Sequence, residues 1–178
     1  MVDASAGFHD AKEGPSDVTT SNNDRSQSAV IEDPAAHGTA SERLGALCEG
    51  LTAGISFTVS AQDMETFKRL SGDDNPIHSG VAFAQACGFE GPIVYGALMI
   101  AAISRLLGTK LPGHGCIWHS LKIDFRAPLY VDEAASLTGR VTYYNNELQL
   151  LRVTLRISSG DRIVATGEAQ ANTRHAAP

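Results

Sequence analysis

Residues 71–78 of this 178-residue chain, SGDDNPIH, gather side chains that could activate a water molecule. Asp73 and His78 supply a carboxylate and an imidazole, which are common proton acceptors and donors in enzymes. The proline of the segment restricts the residue before it, Asn75, so the loop is predicted to be stiff. Asn75 would tie the loop together, whereas Asp74 is expected to face solvent. The same residue types also form ordinary polar turns, because Asp and Asn side chains bond to their own backbone, so the segment alone leaves both interpretations open.

A second candidate feature lies at residues 92–98, PIVYGAL. If Gly96 begins a helix, its N–H group and those that follow have no acceptor within the helix and lie at the positive end of the helix dipole. Such donors can stabilise a carbonyl oxygen that gains negative charge, and a glycine lets a ligand approach the backbone closely. The alternative is a plain helix start that binds nothing.

Local patterns predict the elements that would hold the first segment. Large apolar residues alternate with polar ones over residues 55–59, as in a strand with one buried face. Ser60 can then cap a helix, and Asp63 stands where it can reach back to complete a capping box. Gly72 is a candidate for the residue that ends this helix. Asp73 would therefore come immediately after a helix end.

The most apolar window of the chain, residues 96–107, predicts a buried helix, and a shorter helix is predicted at 79–87. Residues 97–103 are apolar on every side, so this part of the helix should have no solvated face. Four strand-like runs can wrap it, at residues 116–127, 134–145, 148–158 and 162–173, with YNNE and SSGDR as hairpin turns. The fold class is therefore predicted as α+β, a single domain in which an antiparallel sheet curls around one apolar helix. An exposed sheet edge favours a homodimer that continues the sheet.

Histidines outside the first segment give no pattern of metal ligands. The first of the four long strands is predicted to bury Ile117, His119, Leu121, Ile123 and Phe125 and to turn Trp118, Lys122, Asp124 and Arg126 outward. His119 is accordingly predicted to be a core residue. His114 lies five residues before it in a PGHG turn, so the two imidazoles would make poor partners. No metal site is expected.

Composition divides the chain into a tail and a domain. Residues 1–50 carry nine of the 20 acidic side chains and three of the 14 basic ones, which accounts for the whole net charge of −6. They also lack any run of patterned apolar residues, so we predict a disordered acidic tail at 1–50, a folded domain at 51–173 and a flexible C-terminus at 174–178. The neutral domain offers no basic face for nucleic acid. The N-terminus has no signal sequence, and the three cysteines are scattered, which together predict a cytoplasmic protein. The most apolar window is too short to cross a bilayer, so the protein is not expected to enter membranes.

Much of the domain resembles the MaoC-like, (R)-specific enoyl-CoA hydratases of the hot-dog fold. The resemblance rests on SGDDNPIH, on FAQACGFEGPIVYGALM, on LLGTKLPGHG and on SLKIDFRAPLYVDE, and it covers roughly residues 55–172. It implies that Asp73 and His78 are the catalytic pair, that Asn75 supports them and that the Gly96 N–H polarises a thioester carbonyl. It also implies that Ser104 lies near the substrate, although Ser104 could instead bond to its own helix backbone.

The resemblance implies addition of water to a trans-2-enoyl thioester to give an (R)-3-hydroxyacyl thioester, or the reverse dehydration, with no cofactor. The acyl group would be carried by coenzyme A or by an acyl carrier protein, and the helix around Leu98 to Ser104 would form the pocket floor. The chain departs from the family at Tyr95, often His, and at Gly80, often Asp, so Tyr95 is expected to influence substrate preference. The alternatives are a hot-dog thioesterase and a non-catalytic protein that binds acyl carriers.

Overall fold

The computed structural model describes residues 47–173. The tail predicted at 1–50 lies almost wholly outside this range, and the C-terminus predicted at 174–178 lies entirely outside it. The first described residues are already packed: Leu47 is buried in the core, and Gly50 donates a hydrogen bond to the Val141 carbonyl at 2.8 Å. Residues 47–50 therefore pack with the domain.

The helices are α1 (Ala61–Ser71), α2 (Val81–Ala86) and α3 (Gly96–Thr109), with a short 3-10 helix (Pro76–His78) between α1 and α2. The predicted capping box is confirmed, since the Asp63 N–H donates to Ser60 Oγ at 3.2 Å and the Ser60 N–H donates to the Asp63 carboxylate at 2.9 Å. Gly72 ends α1 at a φ of 74°, in the left-handed region that glycine tolerates best. Asp73 is thus the first residue beyond a well-defined helix end, as predicted.

The five strands are β1 (Thr52–Phe57), β2 (Ile117–Phe125), β3 (Ala135–Asn145), β4 (Leu150–Ser159) and β5 (Arg162–Asn172). They form one antiparallel sheet in the order β1-β3-β4-β5-β2. The predicted α+β class, the sheet and both hairpin turns are confirmed. Within residues 47–173, no helix is both long and apolar enough to cross a bilayer.

Helix α3 buries only one of its faces. Met99, Ile103 and Leu106 lie in the core with side chains from β3, β4 and β5. Ala97 and Ala101 are exposed on the opposite face. The prediction that residues 97–103 have no solvated face is therefore wrong for the single chain, because the sheet covers the helix from one side.

A bulge in β2 changes which of its side chains face the core. The register with β5 shifts between Trp118 and Ser120, so one extra residue is accommodated there. As a result Trp118 packs against the core together with Leu121, whereas His119 is exposed. The prediction of a buried His119 and an outward Trp118 is wrong, since strict alternation fails across a bulge.

Candidate active site

The loop after α1 is braced by its own side chains. The Asp73 carboxylate accepts a hydrogen bond from the Asn75 N–H at 3.1 Å, and Asn75 Oδ1 accepts one from the Ile77 N–H at 3.2 Å. The Asp73 N–H in turn donates to Ser71 Oγ at 3.1 Å. These consecutive turns fix the backbone that carries Asp73 while its carboxylate remains exposed to solvent.

His78 ends the 3-10 helix and is held by a backbone group. Its Nδ1 lies 2.8 Å from the Ile93 carbonyl oxygen. A carbonyl can only accept, so Nδ1 carries the proton of this hydrogen bond. The second nitrogen, Nε2, is therefore the one that can exchange a proton with a ligand.

Tyr95 connects the loop to the imidazole. Its hydroxyl donates to the Asp73 backbone carbonyl at 2.9 Å, and its ring centroid lies 3.9 Å from that of His78. Phe67 of α1 contacts the same ring at a centroid distance of 4.8 Å. Burial raises the pKa of the Tyr95 hydroxyl, and the negative charge of Asp73 raises it further, so the hydroxyl keeps its proton and remains a donor.

Gly96 begins α3, as predicted, and lies beside the Phe125 ring. A Cβ at this position would stand 2.8 Å from Cζ of Phe125, which is closer than side-chain carbons approach one another. In the first helical turn the Leu98 N–H donates to the Tyr95 carbonyl at 3.0 Å, whereas an N–H at the first helical position, that of Gly96, has no acceptor within the helix. Gly96 thus combines an available donor with a close contact that excludes a larger side chain.

Two cavities meet at His78. The larger, of about 420 Å³, is lined by His78, Gly96, Met99, Phe125 and Leu129 among others. The smaller, of about 270 Å³, is also lined by His78, together with Glu65, Lys68 and Tyr95 among others. The structure therefore brings His78 and Gly96 to one cavity wall, although they are distant in sequence.

The remaining predicted site residues lie outside these cavity walls. Asp73 and Asn75 line neither cavity, and Asp73 is joined to the site through the Tyr95 hydroxyl. Leu98 is half-buried against the core, and Ser104 is exposed on the open face of α3. Neither Leu98 nor Ser104 lines a cavity in the single chain.

A charged network supports the wall of the larger cavity at Pro128 and Leu129. Arg162 of β5 donates to the Pro128 carbonyl and pairs with Glu133. Glu133 also accepts from Ser159 Oγ at 2.6 Å and from the Tyr130 N–H at 2.9 Å. Partial burial opposes ionisation of Glu133, but the hydrogen bonds from Ser159 and Tyr130, with the hydrogen bond and charge of Arg162, hold its pKa below the ordinary value.

Sequence reasoning missed Ile93, Phe125 and the Glu133 network. Ile93 acts through a backbone carbonyl, which no side-chain pattern reveals. Phe125 was expected on the buried face of a strand and instead lines the larger cavity. Among the described residues, no three His, Cys, Asp or Glu side chains are grouped as metal ligands would be.

The chain matches known proteins over a range that includes Asp73, His78 and Gly96. The sequence model of the family described as "MaoC like domain" matches residues 47–157. The (R)-specific enoyl-CoA hydratase of Aeromonas caviae is 36% identical over 121 residues, which cover 67% of this chain and 90% of that protein. The 3-hydroxybutyryl-CoA dehydratase of Methylorubrum extorquens is 34% identical over 120 residues, covering 67% of this chain and 76% of that protein.

Comparison with solved structures gives the same result. The (R)-hydratase from A. caviae involved in PHA biosynthesis superimposes with a TM-score of 0.68 at 34% identity, covering 71% of this chain and 97% of that one. The R-hydratase PhaJ1 from Pseudomonas aeruginosa superimposes with a TM-score of 0.67 at 27% identity, covering 73% of this chain and 84% of that one. The hot-dog fold predicted from the sequence is confirmed.

Proposed function

The chain belongs to the MaoC-like domain family, and from this premise we propose that it is a hydro-lyase acting on trans-2-enoyl thioesters. It adds water reversibly to give (R)-3-hydroxyacyl thioesters. The observation that carries the proposal is the shared cavity wall of His78, whose Nδ1 is committed to Ile93, and Gly96 at the start of α3. A proton-exchanging imidazole and a donor for a developing oxyanion are the two functions that this addition needs.

Asp73 and His78 activate the water in this proposal. The water oxygen forms a bond to C3 of the enoyl group and loses a proton to one member of the pair, while the other member gives a proton to C2. Proton exchange with solvent then restores the pair. The two members exchange the roles of acid and base when the reaction runs in reverse. Asn75 contributes by holding the Asp73 carboxylate through the 3.1 Å bond from its N–H.

Gly96 stabilises the charge that develops on the thioester carbonyl. Attack at C3 pushes electrons toward the carbonyl oxygen, which becomes enolate-like. The N–H groups at the start of α3 lie at the positive end of the dipole of a 14-residue helix. One such donor typically contributes about 100- to 1000-fold to a rate.

The substrate is an acyl thioester of coenzyme A or of an acyl carrier protein. The larger cavity, about 420 Å³, lies within the range of roughly 300–1000 Å³ that small-molecule sites occupy. Its apolar lining, with Met99, Phe125 and Leu129, suits the acyl chain. Turnover of both carriers by one enzyme would be compatible with the proposal, because the reacting atoms are the same.

A homodimer completes the site in this proposal. Strands β1 and β2 are the two edges of the sheet, and the exposed face of α3 carries Ala97, Ala101 and Ser104. Edge strands and apolar faces of this kind are commonly covered by a second subunit. The substrate contacts predicted for Leu98 and Ser104 would then form where the second subunit closes over this face.

The three cysteines are free, which fits the reducing cytoplasm.

The experiment mixes the purified protein with crotonyl-CoA and follows the enoyl absorbance and the stereochemistry of the product. We expect a reversible loss of enoyl absorbance and formation of the (R)-3-hydroxy product. Crotonyl-pantetheine on an acyl carrier protein is the second substrate. Release of free thiol would show a thioesterase instead, and the absence of turnover with both carriers would refute an enzyme of this class.

A further inference from the structure

We infer that Tyr95 is a positioning residue that holds Asp73 and His78 in register with each other, an inference that rests on the proposed function. The sequence predicts that Tyr95 influences substrate preference, and its contacts point to a further role. Its hydroxyl donates to the Asp73 backbone carbonyl at 2.9 Å, and its ring lies against the His78 ring at a centroid distance of 3.9 Å and an interplanar angle of 32°. Tyr95 therefore contacts both members of the pair from a single rigid ring.

The hydrogen bond to Ile93 does not by itself fix the imidazole. One bond through Nδ1 sets the direction of that nitrogen but leaves the ring free to rotate about the bond axis. The Tyr95 ring covers one face of the imidazole and restricts this rotation. The imidazole is thereby held in the wall of the cavity that Gly96 also lines.

Tyr95 can serve as a fixed reference because it is itself immobilised. It is the N-cap of α3 and is only 3% exposed. Phe67 of α1 packs against its ring at a centroid distance of 4.8 Å, with the two planes tilted by 49°. The preceding residue, Val94, donates its N–H to the Leu129 carbonyl at 2.8 Å. The ring is thus clamped between α1, α3 and the cavity wall.

The Tyr95 hydroxyl restricts the position of Asp73 through the backbone carbonyl of that residue. The Asp73 loop is braced internally by the Asn75 and Ile77 N–H groups, but those bonds lie within the loop. The Tyr95 hydroxyl ties the loop, at the Asp73 carbonyl, to the N-cap of the helix that begins at Gly96. The bonds of Ile93 to Ile77 and His78 hold the other end of the loop. Small displacements between reacting groups are costly, since a shift of about 1 Å can reduce a rate roughly 100-fold.

Two substitutions separate the ring from the hydroxyl. Tyr95→Phe keeps the ring contact and removes only the bond to Asp73, and we expect kcat to fall about five- to tenfold, the rate equivalent of one hydrogen bond. Tyr95→Leu removes both contacts, and we expect kcat to fall about 100-fold. In both variants KM should stay within about twofold, because Tyr95 does not line the larger cavity that is proposed to hold the acyl chain. Tyr144→Phe is the matched control, because it removes a hydroxyl that donates to Asn146 at 3.2 Å in a distant turn.

A spectroscopic measurement tests the inference without substrate. The ¹⁵N signals of the His78 ring, assigned with His78→Gln and recorded where histidine is neutral, should show a single Nδ1-protonated tautomer in the wild type and in Tyr95→Phe. In Tyr95→Leu the Ile93 bond should still keep this tautomer, but the ring signals should broaden, because the imidazole can then rotate about that bond. His78 signals as narrow in Tyr95→Leu as in the wild type, or a rise in KM with unchanged kcat, would overturn the inference.

Failure of the proposed function would appear differently, as absence of turnover in the wild type with the His78 signals still dependent on Tyr95. If Tyr95→Leu does not fold, Tyr95→Phe still carries the test through the kcat loss, because it conserves the buried volume. An unchanged kcat in that variant would also overturn the inference.

Discussion

Replacing Gly96 by alanine tests whether the start of α3 requires a residue without a side chain because the Phe125 ring lies beside it. The new Cβ would stand 2.8, 3.2 and 3.4 Å from Cζ, Cε2 and Cε1 of the Phe125 ring. Nonbonded carbons prefer about 3.5–4.0 Å, so the ring has to move by roughly 1 Å. It has room to move, because Phe125 is 50% exposed and lines the larger cavity. The ring is therefore expected to swing into the space over the first helical turn.

The effect on stability and the effect on catalysis should be unequal. Overpacking costs about 1–3 kcal/mol, and the half-exposed ring puts Gly96→Ala at the low end. Alanine regains up to about 1 kcal/mol of helix propensity over glycine, so the net change in the free energy of unfolding should be less than about 1 kcal/mol. Alanine keeps the N–H at this position, but the displaced ring should block a ligand from reaching it. Loss of one oxyanion donor costs about 100- to 1000-fold in kcat. We expect kcat to fall by about 50-fold or more, while Tm moves by only a few degrees.

The assay measures crotonyl-CoA hydration and thermal unfolding for Gly96→Ala, for the double variant with Phe125→Ala, and for Gly91→Ala. Gly91 is the matched control, because a Cβ there would meet nothing within 4 Å. If the displaced ring causes the loss, the double variant should recover about tenfold of the activity, or roughly 1.4 kcal/mol of transition-state stabilisation. Wild-type activity in Gly96→Ala, or a double variant no better than the single one, would refute this reasoning.

Three further predictions concern stability. Glu133→Gln should lower the free energy of unfolding by about 1–3 kcal/mol at neutral pH. Because the pKa of Glu133 is depressed in the folded protein, this difference should shrink as the pH falls below about 5, which urea unfolding at several pH values can measure. Glu168→Gln, at an exposed ion pair, is the control and should change the stability little. Ser60→Ala should cost about 1 kcal/mol through loss of the capping box, read from the urea midpoint, and an unchanged midpoint would contradict it. Gly139→Ala should destabilise by about 1–3 kcal/mol with kcat unchanged, since its Cβ would lie 3.0 Å from a buried Leu106 methyl; a loss of kcat in the folded variant would contradict the separation of core and site.

Features set by neighbouring residues could be predicted from the sequence. The capping box of Ser60 and Asp63, the left-handed Gly72 and the braced turn at Asn75 each depend on residues within a few positions of one another. The apolar helix starting at Gly96 and the four long strands followed from periodicity over longer runs. These patterns were sufficient for the fold class and for the order of the elements.

Features set by distant contacts could not be predicted in the same way. The bulge that exposes His119 depends on the register between β2 and β5, which alternation within β2 does not encode. The contact that fixes His78 uses the Ile93 carbonyl, and every residue carries such a group. The role of Tyr95 required knowing that its hydroxyl reaches Asp73, 22 residues away. Residue type indicated which groups could react, but their mutual placement came only from the packed chain.

The most direct test of the central claim compares Asp73→Asn, Asp74→Asn and His78→Gln in crotonyl-CoA hydration. Asparagine at position 73 keeps an oxygen that can accept from the Asn75 N–H, so this variant removes the charge and conserves the turn. Glutamine at position 78 keeps an N–H that can donate to Ile93 and removes the ionisable imidazole. The two adjacent carboxylates make Asp74→Asn the matched control.

We predict that kcat falls by about 100-fold or more in Asp73→Asn and His78→Gln, the usual contribution of a general acid or base. In Asp74→Asn it should remain within about twofold of the wild type, with similar Tm values for all the proteins. Comparable losses in the two aspartate variants, or near-wild-type turnover in Asp73→Asn or His78→Gln, would contradict the account.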